Sequence, residues 1–261
     1  MCVRYGGKGR FIMNKVILVA SGKGGVGKTT LSANIAGYLE RMGKRVLLID
    51  ADLQLRNLDL VLGVQDSALF DIQDLYRGNC AEDKAETAVA GHGDLMFVAA
   101  PMRLQEPAEA VYKYIGRYAA NRSYVYDFVF IDCPAGISDG VMSLARPGVS
   151  VLCVATPDRT SVRDAERLSM ELRSNGVKDV RLVINRIDPS LVKKGRAPDM
   201  DDIVDGTGVR LIGLVPEDSC VSACANRGRL VCDDSRLKIG RAYRNIALRI
   251  SGAQAPLYKF W

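Results

Sequence analysis

The sequence predicts an α/β fold: a single doubly wound, mostly parallel sheet flanked by helices. Three observations carry that prediction. Short apolar runs recur along the chain, each followed by a helical pattern. The runs are almost continuously apolar rather than alternating, which marks parallel strands buried on both faces. The first run leads through a glycine-rich turn directly into a helix, the order of a βαβ unit.

Taken in order, "KVILVA" (15–20) is the first strand. Residues 28–42 follow as a helix, with Leu31, Ile35 and Leu39 four apart on one face. Gly43 ends it, where a left-handed residue is wanted. "RVLLID" (45–50) is the second strand. Further strands are expected at 95–100, 127–132, 150–156, 180–185 and 210–215, and further helices at 107–120, 138–146, 160–175 and 236–250. The polar stretch "DPSLVKKGRAPDM" (188–200) reads as the longest loop. No internal repeat, low-complexity tract or linker interrupts the alternation.

A chain of 261 residues suffices for one large α/β domain with a substantial core. No apolar run approaches the roughly 18–20 residues that a spanning helix needs. Seven scattered cysteines without a signal-peptide pattern point to a reducing cytoplasm. Cys220, Cys224 and Cys232 are the only close group; with no histidine near them in sequence they make a poor zinc pattern and read as half-buried thiols. The net charge is +6. From Cys220 onward eight basic residues stand against two acidic ones, so this segment alone carries a surplus equal to the whole. It is either a solvated helix face or a surface for DNA or anionic lipid.

Residues 1–12 show no periodicity and stop just before Met13. They read as a non-native or disordered extension, with translation starting at Met13; without them the charge falls to +3. The catalytic domain is expected over 13–252, followed by a short aromatic and basic tail over 253–261.

The chemistry lies at strand ends, where doubly wound sheets bind ligands. Gly22, Gly27, Lys28 and Thr29 have the spacing of a phosphate loop, between a strand and a helix as such a loop requires. Backbone N–H groups of Gly24, Gly25, Val26 and Gly27 are expected to curl round the β-phosphate, aided by the helix N-terminus. Lys28 should bridge the β- and γ-phosphates, and Thr30 suits the α-phosphate. Thr29, with carboxylates Asp50 and Asp132 at neighbouring strand ends, forms the expected Mg²⁺ set. Asp52 is expected to orient the attacking water. Phosphoryl transfer needs positioning and charge neutralisation more than a strong base, so a lack of histidine is no obstacle. The sole histidine, His92, lies in "GHGD" and reads as exposed. The stretch "INRID" (184–188) could recognise guanine through Asp188 or adenine through Asn185; the residues alone leave both open.

The motifs carry a resemblance. "KGGVGKTT", with its extra lysine Lys23, resembles the deviant phosphate loop of the ParA/MinD ATPases. "LLIDADLQLRNLDLVLG" (47–63), "YDFVFIDCPAGI" (126–137), "SVRDAERL" (161–168) and "LVPEDSCV" (214–221) resemble its MinD branch, and the likeness runs from about Asn14 to about Leu257. It implies a bacterial septum-positioning ATPase that forms a homodimer on Mg·ATP. In that family the early lysine reaches across the dimer to the other subunit's phosphates, which here is Lys23. Asp50, Asp52, Arg56 and Asn57 would belong to switch I, and Asp132 and Gly136 to switch II. Asn185, Arg186, Pro216 and Asp218 would contact adenine, so ATP rather than GTP. A division-inhibitor effector and an ATPase-activating partner are implied as well.

Two departures stand out. Gln54 replaces a frequent glycine, which is expected to alter the switch I turn. After Pro256 only five residues remain, too few for a membrane-binding amphipathic helix, so the aromatic tail is expected to bind lipid weakly, at the headgroup layer. The alternative is a ParA-like partition ATPase holding non-specific DNA through its basic C-terminal segment. A non-catalytic regulator and a metal-cluster carrier fit less well, the first because Lys28, Asp52 and Asp132 are intact, the second because Cys220 and Cys224 are poorly spaced.

Overall fold

The structure is a computed structural model that describes residues 13–260. The expected extension over 1–12, and Trp261 of the tail, lie outside the described residues. Eight strands form one sheet in the order β3-β4-β2-β5-β1-β6-β7-β8. They are β1 (Val16–Ala20), β2 (Val46–Asp50), β3 (Thr87–Val89), β4 (His92–Val98), β5 (Phe128–Asp132), β6 (Ser150–Ala155), β7 (Asp179–Ile187) and β8 (Arg210–Pro216). All pairs are parallel except β3 with β4. Every residue of β1, β2, β5 and β6 is buried, as their unbroken apolar runs require.

Consecutive strand residues face opposite layers. On one side Leu18, Leu47 and Ile131 pack with α3 (Ile72–Arg77), α5 (Ala108–Arg122), α6 (Asp139–Leu144), α7 (Arg159–Ser174) and α9 (Met200–Thr207). On the other, Ile17, Leu48 and Phe130 pack with α1 (Lys28–Arg41), α2 (Leu58–Leu62) and α11 (Gly240–Ile250). The remaining helices are short: α4 (Glu82–Ala85), α8 (Pro189–Lys193), α10 (Ser219–Ala225) and a 3-10 turn at Val231–Asp233.

Two expectations need correction. The stretch 188–200 is not a plain loop: Asp188 and Asp199 accept backbone N–H groups as N-caps and start α8 and α9. His92 is not exposed. It opens β4, pairs with Val89 across an irregular hairpin, and is 2% exposed. The tail packs on the body, with Leu257, Tyr258 and Phe260 half-buried. Tyr258 touches both core layers, and Arg249 and Asn245 of α11 donate to the carbonyls of Ala255 (2.9 Å) and Pro256 (3.0 Å).

Candidate nucleotide site

The loop between β1 and α1 curls because its glycines can. Gly25 and Gly27 adopt left-handed φ values of 77° and 90°. A Cβ on Gly27 would also stand 2.6 Å from the Asn185 amide nitrogen, so only glycine fits there. Lys28 and the Thr29 and Thr30 pair then open α1 with unpaired N–H groups facing the concavity. The result is a cavity of about 480 Å³. Gly24, Gly25, Gly27, Lys28, Thr29 and Thr30 form its floor, Asp52 and Asn57 one wall, and Asn185, Arg186, Pro216 and Asp218 the other.

The carboxylates meet behind the floor. Asp50 and Asp132 are register partners at the ends of β2 and β5, and each is 1% exposed. Asp50 accepts the N–H groups of Asp52 (2.9 Å) and Leu58 (3.2 Å). Burial first, then the like charge of Asp132, pushes Asp50 far above the ordinary carboxylate range. Burial raises Asp132 too, opposed by hydrogen bonds from Thr29 and Ser32 and by the charge of Lys28. Ser32, missed in the sequence reading, has its hydroxyl 3.1 Å from Asp132 Oδ1. Its place one helical turn beyond Lys28 was the available signal. Oxygen donors from Thr29, Asp50 and Asp132, with two buried like charges awaiting compensation, fit a hard divalent ion such as Mg²⁺.

Asp52 is less buried. Its Oδ1 accepts the N–H groups of Gln54 (3.3 Å) and Leu55 (3.2 Å), fixing the turn that follows β2, while Asp52 still lines the cavity. Gln54 does not strain this turn. The left-handed residue here is Arg56, at φ 37°, anchored by its Nε to Asp59 Oδ2 at 2.6 Å. The missing glycine therefore costs nothing at position 54.

On the far wall Asn185 donates from Nδ2 to the Val26 carbonyl at 2.7 Å, tying β7 to the phosphate loop. Its side-chain oxygen is the group left for a ligand's amine. Arg186, also left-handed at φ 58°, donates to the Gly25 carbonyl (3.0 Å) and to Glu217 (2.8 Å). Glu217 lines the cavity and was not anticipated; only its place in the turn after β8 could have flagged it. Asp218 caps α10 by accepting the Cys220 N–H at 2.9 Å.

Lys23 is apart from all of these. It does not line the cavity. Its Nζ lies 3.2 Å from Thr160 Oγ1 and 3.5 Å from Asp158 Oδ1, at the N-terminus of α7. Asp158 is also the N-cap of α7. Burial would raise its carboxyl, but hydrogen bonds from Thr156, Thr160 and the Ser161 N–H, with the charge of Lys23, hold it down at about 2.

The comparisons agree with this geometry. The profile of the CobQ/CobB/MinD/ParA nucleotide binding domain matches residues 17–231. The septum site-determining protein MinD of Bacillus subtilis is 36% identical over 246 residues, 94% of this chain and 92% of its own length. A chain of the MinC:MinD cell division protein complex from Aquifex aeolicus superposes with a TM-score of 0.86 at 35% identity, covering 95% of this chain and 100% of that one. MinD of Pyrococcus horikoshii OT3, solved with Mg-ADP, gives a TM-score of 0.80 at 26% identity, covering 91% and 96%. A long phosphate loop with a second lysine, a parallel sheet around it and these relatives lead to one assignment: the chain belongs to the MinD branch of the CobQ/CobB/MinD/ParA nucleotide-binding family, the septum site-determining ATPases.

Proposed function

We propose that this chain is an ATP-driven switch for division-site placement, monomeric with ADP and dimeric with Mg·ATP. The observation that carries the proposal is the outward position of Lys23. It belongs to the phosphate loop yet lies outside its own cavity, at the exposed end of α7.

In this reading Lys28 neutralises the β- and γ-phosphates, and the N–H groups of Gly24 to Thr30 orient them. Thr29 and Asp132, with Asp50 behind, would hold Mg²⁺, which when bound supplies positive charge to the phosphate oxygens. Asp52 orients the water that attacks the γ-phosphorus; the bond to the bridging oxygen breaks and ADP leaves with that electron pair. Asn185 offers its carbonyl to the adenine amine, beside Arg186, Pro216 and Asp218. Lys23 leaves Asp158 and reaches the partner's phosphates, so full charge neutralisation exists only in the dimer. Loss of the γ-phosphate removes what holds the two lysines across the interface, and the dimer opens. A division inhibitor, as in the MinC:MinD complex, reads the dimer, and an activating partner speeds hydrolysis.

Among the described residues no helix is long and apolar enough to cross a membrane. Recruitment to anionic lipid would then use the tail, its weak affinity multiplied by two copies in the dimer. A DNA-partition role is the second reading, because Arg227, Arg229, Lys238, Arg241 and Arg244 are all exposed. Co-sedimentation of the protein with anionic liposomes and with duplex DNA, each with ATP and with ADP, separates the two. ATP-dependent pelleting with liposomes supports the division-site reading; ATP-dependent pelleting with DNA alone overturns it.

A further inference from the structure

At the opposite end of α1 from the phosphate loop, β4, the end of α1 and the 3-10 turn at Val231–Asp233 converge on His92. Its side chain is 1% exposed. Both ring nitrogens face carboxylates: Nδ1 stands 3.0 Å from Glu40 Oε2, and Nε2 stands 3.0 Å from Asp233 Oδ1. A carboxylate only accepts, so a ring carrying one proton satisfies one side and turns a lone pair toward an anion on the other. The thiol of Cys232 completes the group: ligand atoms of His92, Cys232 and Asp233 all lie within 4.8 Å of one another.

We propose that His92, Cys232 and Asp233 form a binding site for a zinc-like divalent ion, with Glu40 orienting the imidazole. Nδ1–H donates to Glu40, which leaves Nε2 as a ligand; this carboxylate–histidine–metal arrangement is the usual support of a protein-bound zinc ion. One nitrogen, one sulfur and one carboxylate oxygen suit Zn²⁺ and exclude Mg²⁺ as the natural occupant. The nitrogen and oxygen are already about as far apart as two ligands of a tetrahedral ion with bonds of roughly 2.0–2.1 Å. The lack of a histidine near the cysteines in sequence is thus made good in space, by a residue from another strand.

The fold makes room for the site. Gly37 lies in the middle of α1, where glycine weakens a helix relative to alanine. A Cβ there would meet Leu230 Cδ1 at 2.6 Å first, then Cys232 Sγ at 2.8 Å and the His92 ring at 3.7 Å. Arg41 now neutralises the anionic side. Its guanidinium bonds Asp233 at 2.9 Å and Cys232, and its side chain is 47% exposed, free to swing into solvent when an ion enters. A bound ion would tie the start of β4 to the turn that follows α10, and α10 lines the nucleotide cavity.

The test is titration of the chelator-treated full chain, without nucleotide, with Co²⁺ as a coloured stand-in for Zn²⁺. One equivalent should give a thiolate-to-cobalt charge-transfer band that Zn²⁺ abolishes by displacement. Cys232→Ser should remove the band; Cys220→Ser with Cys224→Ser should leave it. Arg41→Gln should tighten binding, and Glu40→Gln should weaken it roughly 10-fold while keeping the band. Circular dichroism of each variant separates lost ligation from lost fold. No band in the wild type overturns the site. A band that survives Cys232→Ser, or binding that survives His92→Gln, makes the ion adventitious and overturns it too.

Discussion

Asp50 and Asp132 stand side by side at the ends of β2 and β5, in register and buried, with no water-exposed surface to dilute their repulsion. Both are raised above the ordinary carboxylate range, first by burial. A carboxyl raised in the folded state favours folding while protonated. The ligand-free protein should therefore lose stability as pH climbs from the ordinary carboxylate range toward neutrality. Mg·nucleotide should replace the bound proton, so binding near pH 7 should release protons. Calorimetry in buffers of different ionisation enthalpy measures this; equal apparent enthalpies in all buffers would contradict it.

The same pair predicts a split between stability and activity. Asp132→Asn removes a buried like charge, so the ligand-free protein should melt no lower than wild type. Its Mg²⁺-dependent ATP turnover should fall by on the order of 10²-fold or more, since developing charge loses its counter-ion. Thermal melts and a phosphate-release assay read the two effects separately.

Glycine positions in the phosphate loop should not be equivalent. Gly25→Ala meets open space and suffers only its left-handed backbone, about 1 kcal/mol. Gly27→Ala adds a clash with the Asn185 amide, breaking its bond to the Val26 carbonyl as well. It should cost roughly 1–3 kcal/mol more and abolish nucleotide binding. Denaturant melts and nucleotide titration of both variants check the order.

The core strands were legible because burial on both faces writes an unbroken apolar run, and the phosphate loop because its glycines and lysine have fixed spacing. Strand β3 was not, since Thr87–Val89 is three residues long and half-exposed. Helices α2, α8 and α10 are too short to show a period. His92 was misread because its burial comes from Glu40 and Asp233, 52 and 141 residues away, while its neighbours "GHGD" look like a turn. Lys23 could be flagged by resemblance, but its partner Asp158 could not, because it follows the neighbouring strand β6, far away in sequence.

The tail contacts yield a further expectation. Tyr258→Ala removes a side chain shared by both core layers and should lower stability by roughly 1–3 kcal/mol. If the tail were free in solution the melting temperature would not move.

Under the proposed mechanism Lys23 works on the partner's nucleotide and not on its own. The most direct measurement is sedimentation velocity of wild type and Lys23→Ala with Mg·ATP and with Mg·ADP, alongside ATP turnover. Wild type should be a dimer with ATP and a monomer with ADP. Lys23→Ala should still bind ATP, with affinity within a few-fold of wild type, yet remain a monomer and not hydrolyse it. A Lys23→Ala protein that dimerises on ATP and turns it over at the wild-type rate would contradict the account.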